Sequence, residues 1–238
     1  MGRAFEFRRA RKEKRWGNMS RTFTKLGKEI SVAVKQGGPD PDLNPRLRVV
    51  IQNAKHANMP KDNVENAIKK ASAKDSADLA EVNFEGYGPH GIAVWVETTT
   101  DNNTRSVANV RSHFNKCHGA MGTAGSLEFI FDRKGVFIIP LEGANRDELE
   151  LKLIELGAED IVEQDDELMV YTTFEDFITM QRALEAAEVG VSSAELRRIP
   201  NNFVTLTDEQ AEDVIKLIER LEEDDDVQNV FHNMNEND

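Results

Sequence analysis

The apolar residues of this chain change period near residue 80. That change confines the fold to helices first, then to modules that mix strands and helices. Leu47, Val50, Ile51 and Ala54 fall at i, i+3, i+4 and i+7, the spacing of one helix face. Asn44-Pro45 opens that helix, with Asn as the N-cap and Pro at the first helical position. Upstream, Phe23, Leu26, Ile30 and Val34 form another apolar stripe, ended by Gly37-Gly38-Pro39. Downstream, Val64, Ile68 and Ala71 form a third, entered through Met59-Pro60-Lys61-Asp62. Three short amphipathic helices joined by turns can bury a small common core. They predict a helical domain over residues 1–79.

Beyond residue 80, short β runs alternate with helices. Residues 92–97 read as a strand, 104–118 as a helix with Val107, Val110 and Phe114 on one side, and 127–131 as a strand. A complete unit follows: strand 136–140, helix 146–156, strand 161–163, strand 168–171, helix 174–188 and strand 194–199. That order, β-α-β-β-α-β, is the ferredoxin-like arrangement. After Pro200 come a strand at 203–206, a helix carrying Val214, Leu217, Ile218 and Leu221, and a strand at 227–231. Thr207 with Gln210 makes a capping box for that helix. These pieces complete a second set with the elements before residue 132. The predicted fold class is α+β: an N-terminal three-helix domain plus two ferredoxin-like α/β domains, one inserted into the other. The outer domain would take residues 80–133 and 200–238, and the inserted one residues 134–199.

Charge divides at the same boundary. Residues 1–80 hold 18 Lys and Arg against 9 Asp and Glu, and the remaining 158 hold 12 against 34. A net charge of −13 thus conceals a cationic helical third on an anionic body, an asymmetry that points to a polyanionic partner. Phe5 and Phe7 precede Arg8, Arg9, Arg11, Lys12, Lys14, Arg15 and Trp16. Cations interleaved with aromatic rings suit nucleic acid, because cations neutralise phosphates and rings stack on bases. The same rings could anchor the arm on the protein's own core, which would position the arginines. Cys117 is the single cysteine, so an intrachain disulfide is excluded and a reducing compartment fits. With no secretory h-region and no apolar run approaching a bilayer-spanning length, a cytoplasmic protein without a membrane partner is expected. No heptad pattern or long apolar seam is present, so a monomer is expected.

Catalytic and cofactor motifs fare poorly. Gly86, Gly88 and Gly91 match G-x-G-x-x-G but lead into a strand rather than a helix, and Pro89 interrupts the loop. A tight turn is the better account than a dinucleotide site. Gly119, Gly122 and Gly125 form a second glycine-rich loop without the Lys-Ser/Thr of a P-loop; it reads as a surface connection. His113, Cys117 and His118 lack the further ligands of a zinc site. The acidic runs Asp165-Asp166-Glu167 and 222–226 read as a solvated turn and a helix end. No catalytic constellation, metal site or cofactor is expected.

Several strings resemble the YebC/PmpR family. They are Phe23-Thr24-Lys25-Leu26, Lys35-Gln36-Gly37-Gly38, Asp40-Pro41, Asn44-Pro45-Arg46-Leu47-Arg48 and Asn58-Met59-Pro60-Lys61-Asp62-Asn63. The loop 85–91, Thr100-Asp101-Asn102 and Phe131-Asp132-Arg133-Lys134-Gly135 extend the likeness over essentially the whole chain. One departure stands out: such proteins often open Gly-His-Ser-Lys-Trp, whereas this one has Gly2-Arg3-Ala4-Phe5. The resemblance implies a helical domain and two α/β domains. It also implies a non-enzymatic regulator of gene expression, either a DNA-binding transcriptional regulator or a translational activator at the ribosome. The expected nucleic-acid-binding residues are Arg8, Arg9, Arg11, Lys12, Lys25, Lys28, Arg46, Arg48, Lys55 and Lys61. Phosphate contacts of this kind serve DNA and ribosomal RNA equally, so both partners stay open. The acidic domains are left to face a protein partner.

Overall fold

A computed structural model describes residues 19–73, 78–143 and 145–235. Three helices come first: α1 (Met19–Gly37), α2 (Pro45–His56) and α3 (Lys61–Ala71). They are followed by β1 (Ala80–Tyr87), β2 (Ala93–Thr100), α4 (Asn103–Lys116), β3 (Ala120–Met121) and β4 (Phe131–Pro140). The chain continues through α5 (Arg146–Glu155), β5 (Asp160–Gln164), β6 (Glu167–Thr173), α6 (Phe177–Ala186) and β7 (Ser193–Pro200). It closes with α7 (Asp208–Glu222) and β8 (Val227–His232). The fold is α+β, with two four-stranded sheets ordered β3-β1-β2-β8 and β5-β6-β4-β7. No helix among the described residues is long and apolar enough to cross a membrane.

The described residues cluster into two compact units. One comprises Ala33–Ala73 with Arg133–Ile199; the other takes the described parts of Met1–Val32, Lys74–Asp132 and Pro200–Asp238. The division falls within α1, so the helical segment is shared between the units.

In the unit containing Ala33–Ala73, β4, β6 and β5 pair antiparallel, with Val136 opposite Tyr171 and Val162 opposite Met169. The order β5-β6-β4-β7, with α5 and α6 as the crossovers, is the split β-α-β arrangement expected from the sequence. Its core joins Phe137, Ile139, Leu153, Leu168, Val170, Phe177, Met180 and Leu184, and Val49 of α2 belongs to it. Phe137 and Phe177 stack with centroids 5.0 Å apart. A polar seam seats α2 on the module. Asn53 Nδ2 donates to the Ala194 carbonyl (2.7 Å) and its Oδ1 accepts from the Ala194 amide (3.0 Å); Gln52 Nε2 donates to Val191 O (3.1 Å). The Asn44 N-cap is formed as expected, with Oδ1 accepting from Leu47 N at 3.1 Å. Its buried Nδ2 also donates to Ala33 O (2.8 Å) and Gly38 O (2.9 Å), which fixes the turn between α1 and α2.

In the other unit, β1 and β2 form a hairpin running from Ala80 opposite Thr100 to Tyr87 opposite Ala93. Helices α4 and α7 contribute Val110, Phe114, Val214, Leu217, Ile218 and Leu221 to a core with Phe84, Val94 and Val96. Burying a side chain such as Phe114 or Leu217 contributes about 2 kcal/mol. The capping box of α7 is present in both directions.

Individual elements of this unit differ from expectation. β1, not anticipated, supplies a central strand. Residues 127–130 are turns ahead of β4, which begins at Phe131, and Leu127, Ile130 and Phe131 pack with Ala93 and Trp95 in a separate cluster. The expected strand at 203–206 is reduced to a single bridge between Val204 and Met234. A short apolar run fits a strand and a packed turn equally well by pattern, so only its partners decide between them.

Candidate nucleic-acid interface

The ten cations expected to meet phosphate fall into three groups. Arg8, Arg9, Arg11 and Lys12 lie outside the described residues. Lys25 and Lys28 belong to one unit, and Arg46, Arg48, Lys55 and Lys61 to the other.

Lys25 and Lys28 are engaged by the protein itself. Lys25 Nζ donates to Gln228 O at 3.1 Å. Lys28 Nζ donates to Asp225 O (2.6 Å), Thr99 O (3.0 Å) and Asp226 Oδ1 (3.0 Å), and its side chain is 19% exposed. Asp226 is the hub of this cluster. Its carboxylate also accepts from Arg105 Nη2 (2.8 Å), Arg105 Nε (3.1 Å), Ser106 Oγ (2.8 Å) and Thr100 Oγ1 (3.2 Å). Burial would raise the Asp226 pKa, but hydrogen bonds from Arg105, Lys28 and Ser106 outweigh it and hold the carboxyl at about 2. Arg105, bonded also to Asp101, is pushed above its ordinary value by the same contacts. The end of the acidic run 222–226 is therefore an internal anchor for α1 and α4 rather than a solvated helix end. Asp224 likewise accepts from Asn109 Nδ2 (3.0 Å) and lies 3.2 Å from His113 Nε2.

The other four cations are graded in availability. Arg48 is half-buried and engaged, donating to Pro41 O (3.2 Å) and Asp42 O (3.0 Å) and pairing with Glu185 at 3.3 Å. Arg46 Nη1 donates to Gln36 Oε1 at 2.6 Å. Lys55 is exposed and makes no ion pair among the described residues. Lys61 is 88% exposed and meets Glu65 at 3.4 Å across one helical turn, a pair of the kind worth little in water. Two further exposed cations, Lys69 and Lys70, occupy the last turn of α3. There a positive charge also favours the carbonyl end of the helix dipole.

The two glycine loops serve the chain's own packing. A Cβ on Gly86 would lie 2.6 Å from Ala120 O and 2.9 Å from Phe114 Cε1, and one on Gly119 would lie 2.7 Å from Tyr87 O. These glycines let β1 and β3 approach, with Gly86 opposite Met121 and Tyr87 opposite Ala120. Gly91 takes a φ of +76°, and Gly88 faces Leu217. All three glycines of the G-x-G-x-x-G match thus have structural tasks. Glu85, buried, accepts from the amides of Gly125 (2.7 Å) and Leu127 (2.6 Å) and so ties down the second loop. No group of three or more His, Cys, Asp or Glu among the described residues is placed to hold a metal ion.

Two four-stranded sheets with their packed helices, preceded by helices that carry exposed lysines, define an α+β protein. The chain belongs to the TACO1/YebC family. The model of that family's N-terminal domain matches residues 3–74, and the model of its second and third domains matches residues 79–234. A "Probable transcriptional regulatory protein" of Parabacteroides distasonis is 59% identical over 239 residues, covering 100% of this chain and 98% of that protein. One of the same name from Porphyromonas gingivalis is 58% identical over 237 residues, covering 99% and 98%. Among solved structures, a conserved hypothetical protein from Aquifex aeolicus is similar with a TM-score of 0.84 at 40% identity, covering 92% of this chain and 90% of that one.

Proposed function

We propose that this protein is a non-enzymatic regulator of gene expression that binds nucleic acid, in the first instance duplex DNA, through its N-terminal cationic region. The observation that carries the reading is the exposure of Lys55, Lys61, Lys69 and Lys70 on α2 and α3, in a chain whose remainder is strongly acidic. Neutralising phosphates with such cations releases condensed counterions, which drives binding without reading sequence. The names of the relatives support regulation of transcription. Arg8, Arg9, Arg11 and Lys12 would extend the contact, with Arg46 beside it. Lys25, Lys28 and Arg48 would act mainly by holding the helices in place, since their donors are already taken. In this reading residues 1–79 are the binding domain, and the outer (80–133, 200–238) and inserted (134–199) domains leave acidic surfaces for a protein partner. The protein would work as a cytoplasmic monomer.

Sedimentation of the full chain with ribosomes, set beside its binding to duplex DNA at matched salt, tests the reading. Saturable binding to DNA is expected. Sedimentation with ribosomes and no DNA binding would replace transcription by translation as the process regulated. Binding to neither would overturn the proposal.

A further inference from the structure

Between Asn102 and Leu127 the chain has no Asp or Glu over 26 residues, although 43 acids in 238 residues would put about five there. The interruption falls within an otherwise acidic unit, and it spans α4, β3 and the second glycine loop. Arg105 of the stretch is already compensated by Asp226 and Asp101, and the His113 ring lies against Asp224. Arg111 and Lys116 are different. Both are exposed and make no ion pair among the described residues.

These two side chains flank one face of α4, about 140° apart around the helix axis. With Ala108, Ser112 and Asn115 they line a shallow depression on the surface of their unit. The positions 108, 111, 112 and 115 are one helical turn apart, so they form a continuous strip. The opposite face of α4 is committed to the core through Val110 and Phe114. Ala108 keeps the floor low, Ser112 and Asn115 offer neutral donors, and Arg111 and Lys116 supply the charge. A guanidinium fork, an ammonium and short polar donors around a low floor suit phosphate oxygens arrayed along a strand. A carboxylate-bearing protein surface would satisfy the charges too, but it would leave the row of small polar groups without a matching repeat.

We infer that this face of α4 is a second phosphate-binding surface, which takes the phosphodiester backbone of a nucleic acid. The inference rests on the nucleic-acid-binding reading above and adds a contact on the other unit, at residues not anticipated from the sequence. The shared chemistry is the phosphodiester chain, and DNA and RNA arms of the test separate its two sources.

The test uses the full chain and three double variants of exposed side chains. R111Q/K116Q removes the surface, K55Q/K61Q weakens the helical region, and K216Q/R220Q removes two cations of α7 in the same unit as α4. Each is titrated against a 20-base-pair DNA duplex and an RNA hairpin of the same length by fluorescence anisotropy, over a series of salt concentrations. R111Q/K116Q is expected to weaken binding of at least one polymer roughly 5- to 20-fold and to lower its salt slope by about 1–2. K216Q/R220Q is expected to change neither. The polymer that loses the slope is the one that α4 holds. If K55Q/K61Q weakens binding while R111Q/K116Q leaves it unchanged, the α4 surface is overturned and the first reading stands. Equal losses from R111Q/K116Q and K216Q/R220Q would reduce the effect to net charge and also overturn it. If the unmodified chain binds neither polymer, both readings fall together.

Discussion

Asp226 joins residues that are far apart in sequence: Lys28 near the start, Thr100, Arg105 and Ser106 in the middle, and its own segment near the end. Because its carboxyl titrates at about 2 rather than the ordinary 3.8, folding favours its ionised form. The stabilisation is complete above the unfolded value, near pH 4, and is lost as pH falls through about 2. The gap corresponds to about 2 kcal/mol. Urea unfolding between pH 5 and pH 2 should show this loss, and D226N should remove that part of the pH dependence. At neutral pH the same variant should be destabilised by about 2 kcal/mol, since Arg105 and Lys28 would face an amide in place of a carboxylate. Asn44→Ala would delete the cap of α2 and two further hydrogen bonds, one of them buried, with an expected cost of about 2 kcal/mol read as a lower thermal midpoint.

Among the elements, the close passage of β1 and β3 depends on glycine. Gly86→Ala would drive a methyl group into Ala120 O and the Phe114 ring, and only backbone movement could relieve the first contact. A loss of about 1–3 kcal/mol is expected, measurable by chemical denaturation. Faster amide exchange at Met121 and Ala120 should accompany it. What could be read from the sequence follows the same logic of local and distant partners. The N-cap at Asn44, the capping box at Thr207 and Gln210, and the order of the inserted module were all legible, because each is written in neighbouring residues or a regular period. β1 is not evident from the sequence: Val82 and Phe84 alternate with Glu81, Asn83 and Glu85, but the run is short, and the burial of Glu85 depends on the distant amides of Gly125 and Leu127. The packing of Leu127 and Phe131 against Trp95 depends on a residue some thirty positions upstream. Charge was legible as a regional sum but not by residue: only the fold reveals that Lys28 is spent on Asp226 and Lys55 is not. The acid-free stretch 102–127 was a signal present in the sequence that composition by thirds averages away.

At the scale of the molecule, an excess of acid repels the polymer that the cationic region attracts, so binding should be strongly dependent on ionic strength and confined in extent. The most direct measurement is the slope of log affinity against log salt for duplex DNA, comparing the unmodified chain with K55Q/K61Q/K69Q/K70Q. All four side chains are exposed, so the variant should keep its thermal midpoint to within a few degrees. The predicted result is a steep negative slope for the unmodified chain and one shallower by about 3 for the variant. Two equal slopes at equal affinity would contradict the account, because the exposed lysines of α2 and α3 would then meet no phosphate.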